Sequence, residues 1–294
     1  MPKRSNTFQR VILLTRTHLS DGATVTESKL LLDSVSGEER EVDICVEGQV
    51  GGEPIIVSIE CRDHGRACDV KWIDEMKAKH ERLPTNLLVL VSSSGFSKQA
   101  VNVAFSYGIK LLTLEELGAE GGEKLFGDIE SLWSKVFTLT PTKVIVRVAA
   151  SEGMQSENVS VAKDTQLFSH SGSSLGAISE TVERLLNSKS AVEYFAREGT
   201  KEHKGFELRW EPVSDVDGNP LCLQKIDPLI FRPIEMIHIT GSCNFDISEF
   251  PIISGRLGNI KVVWGTGQFL GEKSLLVATQ QQSEVKLTIA KEPN

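Results

Sequence analysis

The stretch that decides the fold reads Arg40-Glu41-Val42-Asp43-Ile44-Cys45-Val46, followed after a glycine-rich connection by Ile55-Ile56-Val57-Ser58-Ile59-Glu60-Cys61-Arg62. Both runs are strand-like, and each carries an acidic residue among apolar ones. Since side chains alternate along a strand, Glu60 and Arg62 are expected to share a face. If the two runs pair, Asp43 faces Glu60 from the neighbouring strand. Two carboxylates converging on one face are costly unless they are solvated, paired or hold a hard cation.

The bulk composition is that of an ordinary soluble chain. Its 294 residues suggest one large or two ordinary domains, with 40% hydrophobic and 24% charged residues. No run approaches the roughly 18 apolar residues of a membrane span, and the N-terminus lacks the apolar core of a secretory signal. The odd count of 5 cysteines indicates reduced thiols. We therefore expect a cytoplasmic protein that does not enter a membrane.

The charge balance argues against a protein that coats nucleic acid through bulk positive charge. The formal net charge is −8, and the pI is about 5.4. Residues 1–140 alone hold 16 Lys and Arg against 21 Asp and Glu. Any nucleic-acid binding is therefore expected to use a local basic edge and metal-bridged phosphates.

The first part of the chain predicts an α/β sandwich with a mixed sheet. Apolar periodicity predicts helices over 7–19, 69–82 and 97–107. Besides the two acidic strands, we expect strands over 23–35, 86–91 and 109–114, the second of which has the continuous apolar pattern of a strand buried on both faces. This order of helices and strands is typical of a layered α/β domain.

A second, β-rich domain is predicted beyond a boundary near Pro141. Residues 178–196 are expected to be helical, and strands dominate from residue 206 onwards. This reading divides the chain into domains 1–140 and 141–294, the second of sandwich or barrel type. The glycines of Gly265-x-Gly267-x₃-Gly271 have no helix after them, which favours hairpin chemistry over a dinucleotide-binding fingerprint.

Residues 7 to about 117 resemble the PD-(D/E)xK superfamily, and within it the catalytic domain of Mrr-like restriction endonucleases. The resemblance rests on four motifs in order: Arg40 to Ile44, Val57 to Asp63, Val91 to Ser97, and Gly108-Ile109 before the last strand. It implies a restriction-endonuclease-like fold for the N-terminal part. It leaves the C-terminal half unexplained.

What this resemblance implies is Mg²⁺-dependent (or Mn²⁺-dependent) hydrolysis of phosphodiester bonds in DNA. Asp43 and Glu60 would bind the metal, and the backbone carbonyl of Cys61 would complete the site. Arg62 stands where the family has a lysine, and arginine holds phosphate well but is a poor base. Lys71 or Lys77, from the following helix, is a candidate replacement. Because duplex cutting needs two active sites, a homodimer is expected.

The same residues also have other interpretations. The domain could be a catalytically silent module that binds nucleic acid or protein. Asp43 could be a protective edge-strand charge, and Glu60 with Arg62 a surface ion pair of little worth. Glu41 shares the face of Asp43 and is a further candidate ligand. The spacing of Cys61, His64 and Cys68 suggests zinc but lacks a fourth ligand.

Overall fold

The computed structural model describes residues 6–20, 22–117, 129–151, 153–197, 204–215, 218–225, 230–281 and 284–292. The elements in chain order are α1 (Thr7–Leu19), β1 (Thr24–Leu32), β2 (Glu39–Val50), β3 (Glu53–Arg62), α2 (Val70–His80), β4 (Leu87–Ser92), α3 (Lys98–Ser106), β5 (Lys110–Glu116), β6 (Ser131–Val148), β7 (Glu157–Val161), β8 (Gln166–Phe168), β9 (Ser174–Ala177), α4 (Ile178–Leu186), α5 (Lys189–Arg197), β10 (Lys204–Trp210), β11 (Cys222–Lys225), β12 (Ile230–Pro251), β13 (Ile253–Leu257), β14 (Ile260–Phe269), β15 (Glu272–Gln281) and β16 (Glu284–Lys291).

The chain forms two compact units, and the first is discontinuous. It comprises Met1–Ser134 together with Ser248–Asn294, whereas the second is the inserted segment Lys135–Ile247. This corrects the predicted division into 1–140 and 141–294. The physical reason is strand pairing, because β13 hydrogen-bonds to β5 and so joins the C-terminal strands to the N-terminal sheet.

The first unit contains a nine-stranded mixed sheet in the order β1-β2-β3-β4-β5-β13-β14-β15-β16. Only the pairs β3/β4 and β4/β5 are parallel among its described ladders, and the connections between them contain α2 and α3. This arrangement confirms the predicted α/β class with a mixed sheet, and a β-rich region follows it along the chain.

Helix α1 covers one face of this sheet, and α2 and α3 cover the other. Asn6 caps α1 by accepting the Gln9 N–H at 2.7 Å, and apolar residues of α1 such as Ile12 share a core with Ile44 and Ile59. On the opposite face, Ile73 of α2 packs with Leu88 and Leu90 of β4. Strand β4 is therefore buried on both sides, as its apolar run predicts.

The second unit contains a seven-stranded sheet in the order β7-β6-β12-β11-β8-β9, with β10 paired to β12. Its core includes Val146, Ile178, Phe195 and Ile237. The segment 178–196, predicted to be helical, forms two helices, α4 and α5. No helix within the described ranges has both the length and the apolar composition needed to cross a membrane.

Candidate functional site

The site begins where strands β2 and β3 separate. Their antiparallel register is regular as far as the pair Ile44 and Ile59. Beyond it, the Cys61 N–H donates to Oδ2 of Asp43 at 2.7 Å. A side-chain carboxylate thus takes the place of a backbone acceptor. This contact holds Asp43 beside the strand that carries Glu60.

Glu60 is buried under the C-terminal end of α2. Its side chain and backbone are only 6% exposed. The Lys79 ammonium donates to Glu60 Oε1 at 2.6 Å, and His80 Nε2 lies 2.8 Å from the same oxygen. An ionised carboxylate in such a place needs these donors, because unpaired buried charge is strongly destabilising.

Burial and mutual repulsion disturb the ionisation of Asp43. Desolvation, then the negative charge of Glu60, raises the pKa of Asp43 to about 6, although the Cys61 N–H and the Lys79 ammonium act in the opposite direction. The two carboxylates are therefore close enough for their charges to interact. A divalent cation bound by both would relieve the repulsion.

Within the described part of the chain, one oxygen of each carboxylate is held by hydrogen bonds to the protein. Among the described residues, hydrogen-bond donors reach Oδ2 of Asp43 and Oε1 of Glu60, whereas Oδ1 and Oε2 accept no hydrogen bond from them. Two anionic oxygens are thus left for a ligand. Carboxylate oxygens are the donors that Mg²⁺ and Mn²⁺ prefer.

Cys61 can add a third oxygen from its backbone. In an extended strand, the N–H and C=O of one residue point towards the same neighbouring strand. Because the Cys61 N–H points at Asp43, its carbonyl also faces the β2 side. The thiol is a poorer ligand, since burial and then the charge of Asp43 raise its pKa well above the usual range. The oxygen donors present fit a hard cation.

The guanidinium of Arg62, the residue expected in the place of a lysine, lies over the ring of Trp72. Its guanidinium carbon is 5.2 Å from the centroid of the Trp72 ring, and it forms no ion pair with Glu60 in the described part of the chain. The alternative of a Glu60–Arg62 surface pair is therefore wrong. Trp72 is itself buried, so its ring packs in the core.

The predicted replacement lysines do not reach the carboxylates. Lys71 is exposed in the first turn of α2, and Lys77 pairs with Glu81 at 2.8 Å. Lys71 is eight residues before Lys79, about 12 Å along a helix. This corrects the assignment of Lys71 as a catalytic residue, because the contacting end of α2 is its last turn.

Sequence reasoning missed Lys79 and His80. A signal for them was present: Trp72 and Ile73 mark the buried face of α2, and residues seven positions later lie on almost the same face after two turns. That spacing reaches Lys79 and His80. A cation and an imidazole on a buried face need partners, and Glu60 supplies them.

Three further interpretations, of Asp43 as an edge-strand charge, of Glu41 as a ligand and of a zinc cluster, can be compared with the structure. Asp43 is half-buried on β2, which lies between β1 and β3, so it is not an edge-strand charge. Glu41 is half-buried, and its charge contributes a smaller upward effect on the Asp43 pKa. Within the described ranges no group of three His, Cys, Asp or Glu side chains is placed to hold a metal, so Cys61, His64 and Cys68 do not form such a group. It leaves a two-carboxylate site open.

Comparisons with known proteins assign no family. No family model matches the chain, and no curated protein matches it. One similar solved structure is the crystal structure of a protein of unknown function, AF1548, with 20% identity and a TM-score of 0.30. The match covers 36% of this chain, and this chain spans 57% of the length of that structure. A likeness of this size carries no argument about fold or function.

Proposed function

We propose that the first unit is a divalent-metal-dependent DNA endonuclease whose site is built on Asp43 and Glu60. The supporting observation is the pair of converging carboxylates, each held by one oxygen and open at the other. A pair arranged in this way, with the pKa of Asp43 raised to about 6, is destabilised without a cation and stabilised with one.

Asp43, Glu60 and the Cys61 carbonyl would hold Mg²⁺ or Mn²⁺. When bound, such an ion polarises a phosphate oxygen and lowers the pKa of a bound water. The chain's own residues then keep the two carboxylates at a fixed separation. The Cys61 N–H fixes Asp43, and the last turn of α2 fixes Glu60.

Lys79 supplies the amine that the strand itself lacks. Its Nζ lies 2.6 Å from Glu60 Oε1, at the edge of the volume the carboxylates share. An ammonium can orient a water and, unlike a guanidinium, can give up a proton. Arg62, which ends β3, and the exposed Arg66 in the loop after it provide the local basic edge for a DNA backbone.

The wider setting belongs to the same proposal. Cleavage of both strands of duplex DNA requires two such sites, so the active form is a homodimer. All 5 cysteines are free thiols, which suits a reducing cytoplasm. The inserted unit would select or regulate the target.

A second candidate function is a silent binding module. It is favoured by Arg62 in the lysine position and by the Lys79 and His80 contacts, which already satisfy one Glu60 oxygen. In that case the carboxylates and α2 form a structural ion-pair network. The module would bind nucleic acid or protein without cutting.

Cleavage of supercoiled plasmid with Mg²⁺ or Mn²⁺ separates the two functions. We expect metal-dependent nicking that falls at least about 100-fold in Asp43→Asn, in Glu60→Gln and in Lys79→Met. Lys71→Met is the matched control on the same helix, with an expected change below about threefold. Absence of cleavage on plain and methylated plasmid alike favours the silent module.

A further inference from the structure

A chain of four hydrogen-bonding side chains runs from strand β3 through the end of α2 and back to β3. Ser58 Oγ lies 2.8 Å from Thr85 Oγ1. Thr85 Oγ1 lies 3.1 Å from His80 Nδ1, and His80 Nε2 lies 2.8 Å from Glu60 Oε1. Ser58 and Glu60 share one face of β3, because they are two residues apart. The chain therefore closes a loop on the strand that carries the candidate ligand.

The rules for donors and acceptors assign a direction to each hydrogen bond in this series of four side chains. Glu60 Oε1 already accepts from Lys79, and a carboxylate only accepts, so His80 must donate from Nε2. When the imidazole is neutral, donation from Nε2 leaves Nδ1 as an acceptor, and the Thr85 hydroxyl is then the donor there. Thr85 Oγ1 then accepts from the Ser58 hydroxyl. Each link fixes the next.

Burial makes the direction matter. Ser58 is 0% exposed, and His80 and Glu60 are each 6% exposed. At the buried Ser58 and His80 a broken link leaves a polar atom without a partner, whereas the Thr85 side chain is half-buried. A histidine needed only for packing would not require this series of hydroxyls. Leucine or phenylalanine would fill the volume.

We propose that His80 is a positioning residue for the metal site, held in its Nε2–H tautomer by Thr85 and Ser58. By donating to Oε1 it stops the Glu60 carboxylate from rotating and keeps Oε2 turned to the volume shared with Asp43. Histidines and carboxylates are paired in this manner around metal ligands, where the partner fixes orientation. The part of this inference that concerns a bound metal rests on the proposed function.

The test uses a matched pair of variants at Thr85 in the full chain. Thr85→Val keeps the shape of the side chain and removes the hydroxyl, whereas Thr85→Ser keeps the hydroxyl. Mn²⁺ alone is the probe, with binding followed by electron paramagnetic resonance. The tautomer of His80 is read from two-bond ¹⁵N–¹H correlations of its ring. Ser58→Ala is the second variant, in case Thr85→Val does not fold.

We expect the Nε2–H tautomer in the wild type and in Thr85→Ser, and a mixture of tautomers in Thr85→Val. The Kd for Mn²⁺ should rise about tenfold in Thr85→Val, stay within about twofold in Thr85→Ser and rise less in Ser58→Ala. Tight Mn²⁺ binding that Thr85→Val leaves unchanged overturns the inference, as does an Nδ1–H tautomer in the wild type. If the wild type binds no Mn²⁺, the proposed function fails instead, and the tautomer still decides whether the directed chain exists.

Discussion

At the scale of single residues, Asp43 is stabilised in its protonated form. Its pKa in the folded chain is about 6 against an ordinary 3.8, so between pH 4 and 6 the folded state holds a proton that the unfolded state has lost. Stability contributed by this proton is complete below pH 4 and disappears as the pH rises through 6.

Asp43→Asn, which mimics the protonated carboxyl, should therefore remove this pH dependence. In metal-free buffer the wild type should lose about 2 kcal/mol relative to Asp43→Asn between pH 4 and 7, a value kept modest because the side chain is half-buried. Urea unfolding of both proteins at several pH values measures it. Parallel stability curves would show that the carboxylate is not desolvated.

The sequence predicted one half of the candidate site. Asp43 and Glu60 follow from strand alternation and pairing, which are local rules. Those rules could not predict the roles of Lys79 and His80, because these roles depend on which end of α2 lies over β3. That position is set by the length of the loop after Arg62 and by packing, which periodicity does not encode.

At the scale of elements, close backbone approach fixes β14. A Cβ on Gly265 would lie well inside van der Waals distance of the Pro251 carbonyl oxygen. This oxygen belongs to the backbone, so it cannot move aside as a flexible side chain could. Gly65, in the loop after β3, has no heavy atom within 4 Å of the same position. The two glycines therefore make a matched pair.

Gly265→Ala should lower the free energy of unfolding by at least about 2 kcal/mol, whereas Gly65→Ala should change it by less than about 0.5 kcal/mol. Thermal or urea unfolding followed by circular dichroism measures both. A Gly265→Ala protein as stable as the wild type would contradict this close approach of β14 to Pro251. The glycines of this segment thus serve strand packing as well as the hairpin turn.

Helix α3 shows where element-level prediction ends. Its apolar periodicity places Ala100, Val101, Ala104 and Phe105 on one face. The structure buries the two alanines but leaves Phe105 86% exposed. Helix α3 spans only nine residues, so only a narrow face of it contacts the sheet. Small side chains fit in that contact. The pattern predicts a helix correctly but overestimates its buried face.

At the scale of the whole molecule, the C-terminal strands complete the N-terminal core. Leu257, Val262 and Leu275 lie in the same cluster as Ile12 of α1. The change in amino-acid composition near Pro141 predicted a boundary there. Composition shows where the type of sequence changes, but it does not show which strands pair across a long insertion. The first unit is therefore assembled from both ends of the chain.

A shortened chain of residues 1–140 should not fold, whereas residues 1–134 joined by a short Gly-Ser linker to 248–294 should. A short linker is enough because the Ile252 N–H donates to the Glu130 carbonyl at 2.9 Å. This hydrogen bond places the two segments side by side. Dispersed amide resonances and a cooperative melting transition report folding. A cooperatively folded 1–140 chain would contradict the shared core.

The central claim is that Asp43 and Glu60 together hold one divalent cation. Its most direct test is a titration of metal-free protein with Mn²⁺, counting bound ions by electron paramagnetic resonance in the wild type, Asp43→Asn and Glu41→Gln. We expect one ion per chain in the wild type and in Glu41→Gln, with binding weakened at least about tenfold in Asp43→Asn. Equal binding by the wild type and Asp43→Asn, or none by either, would contradict it.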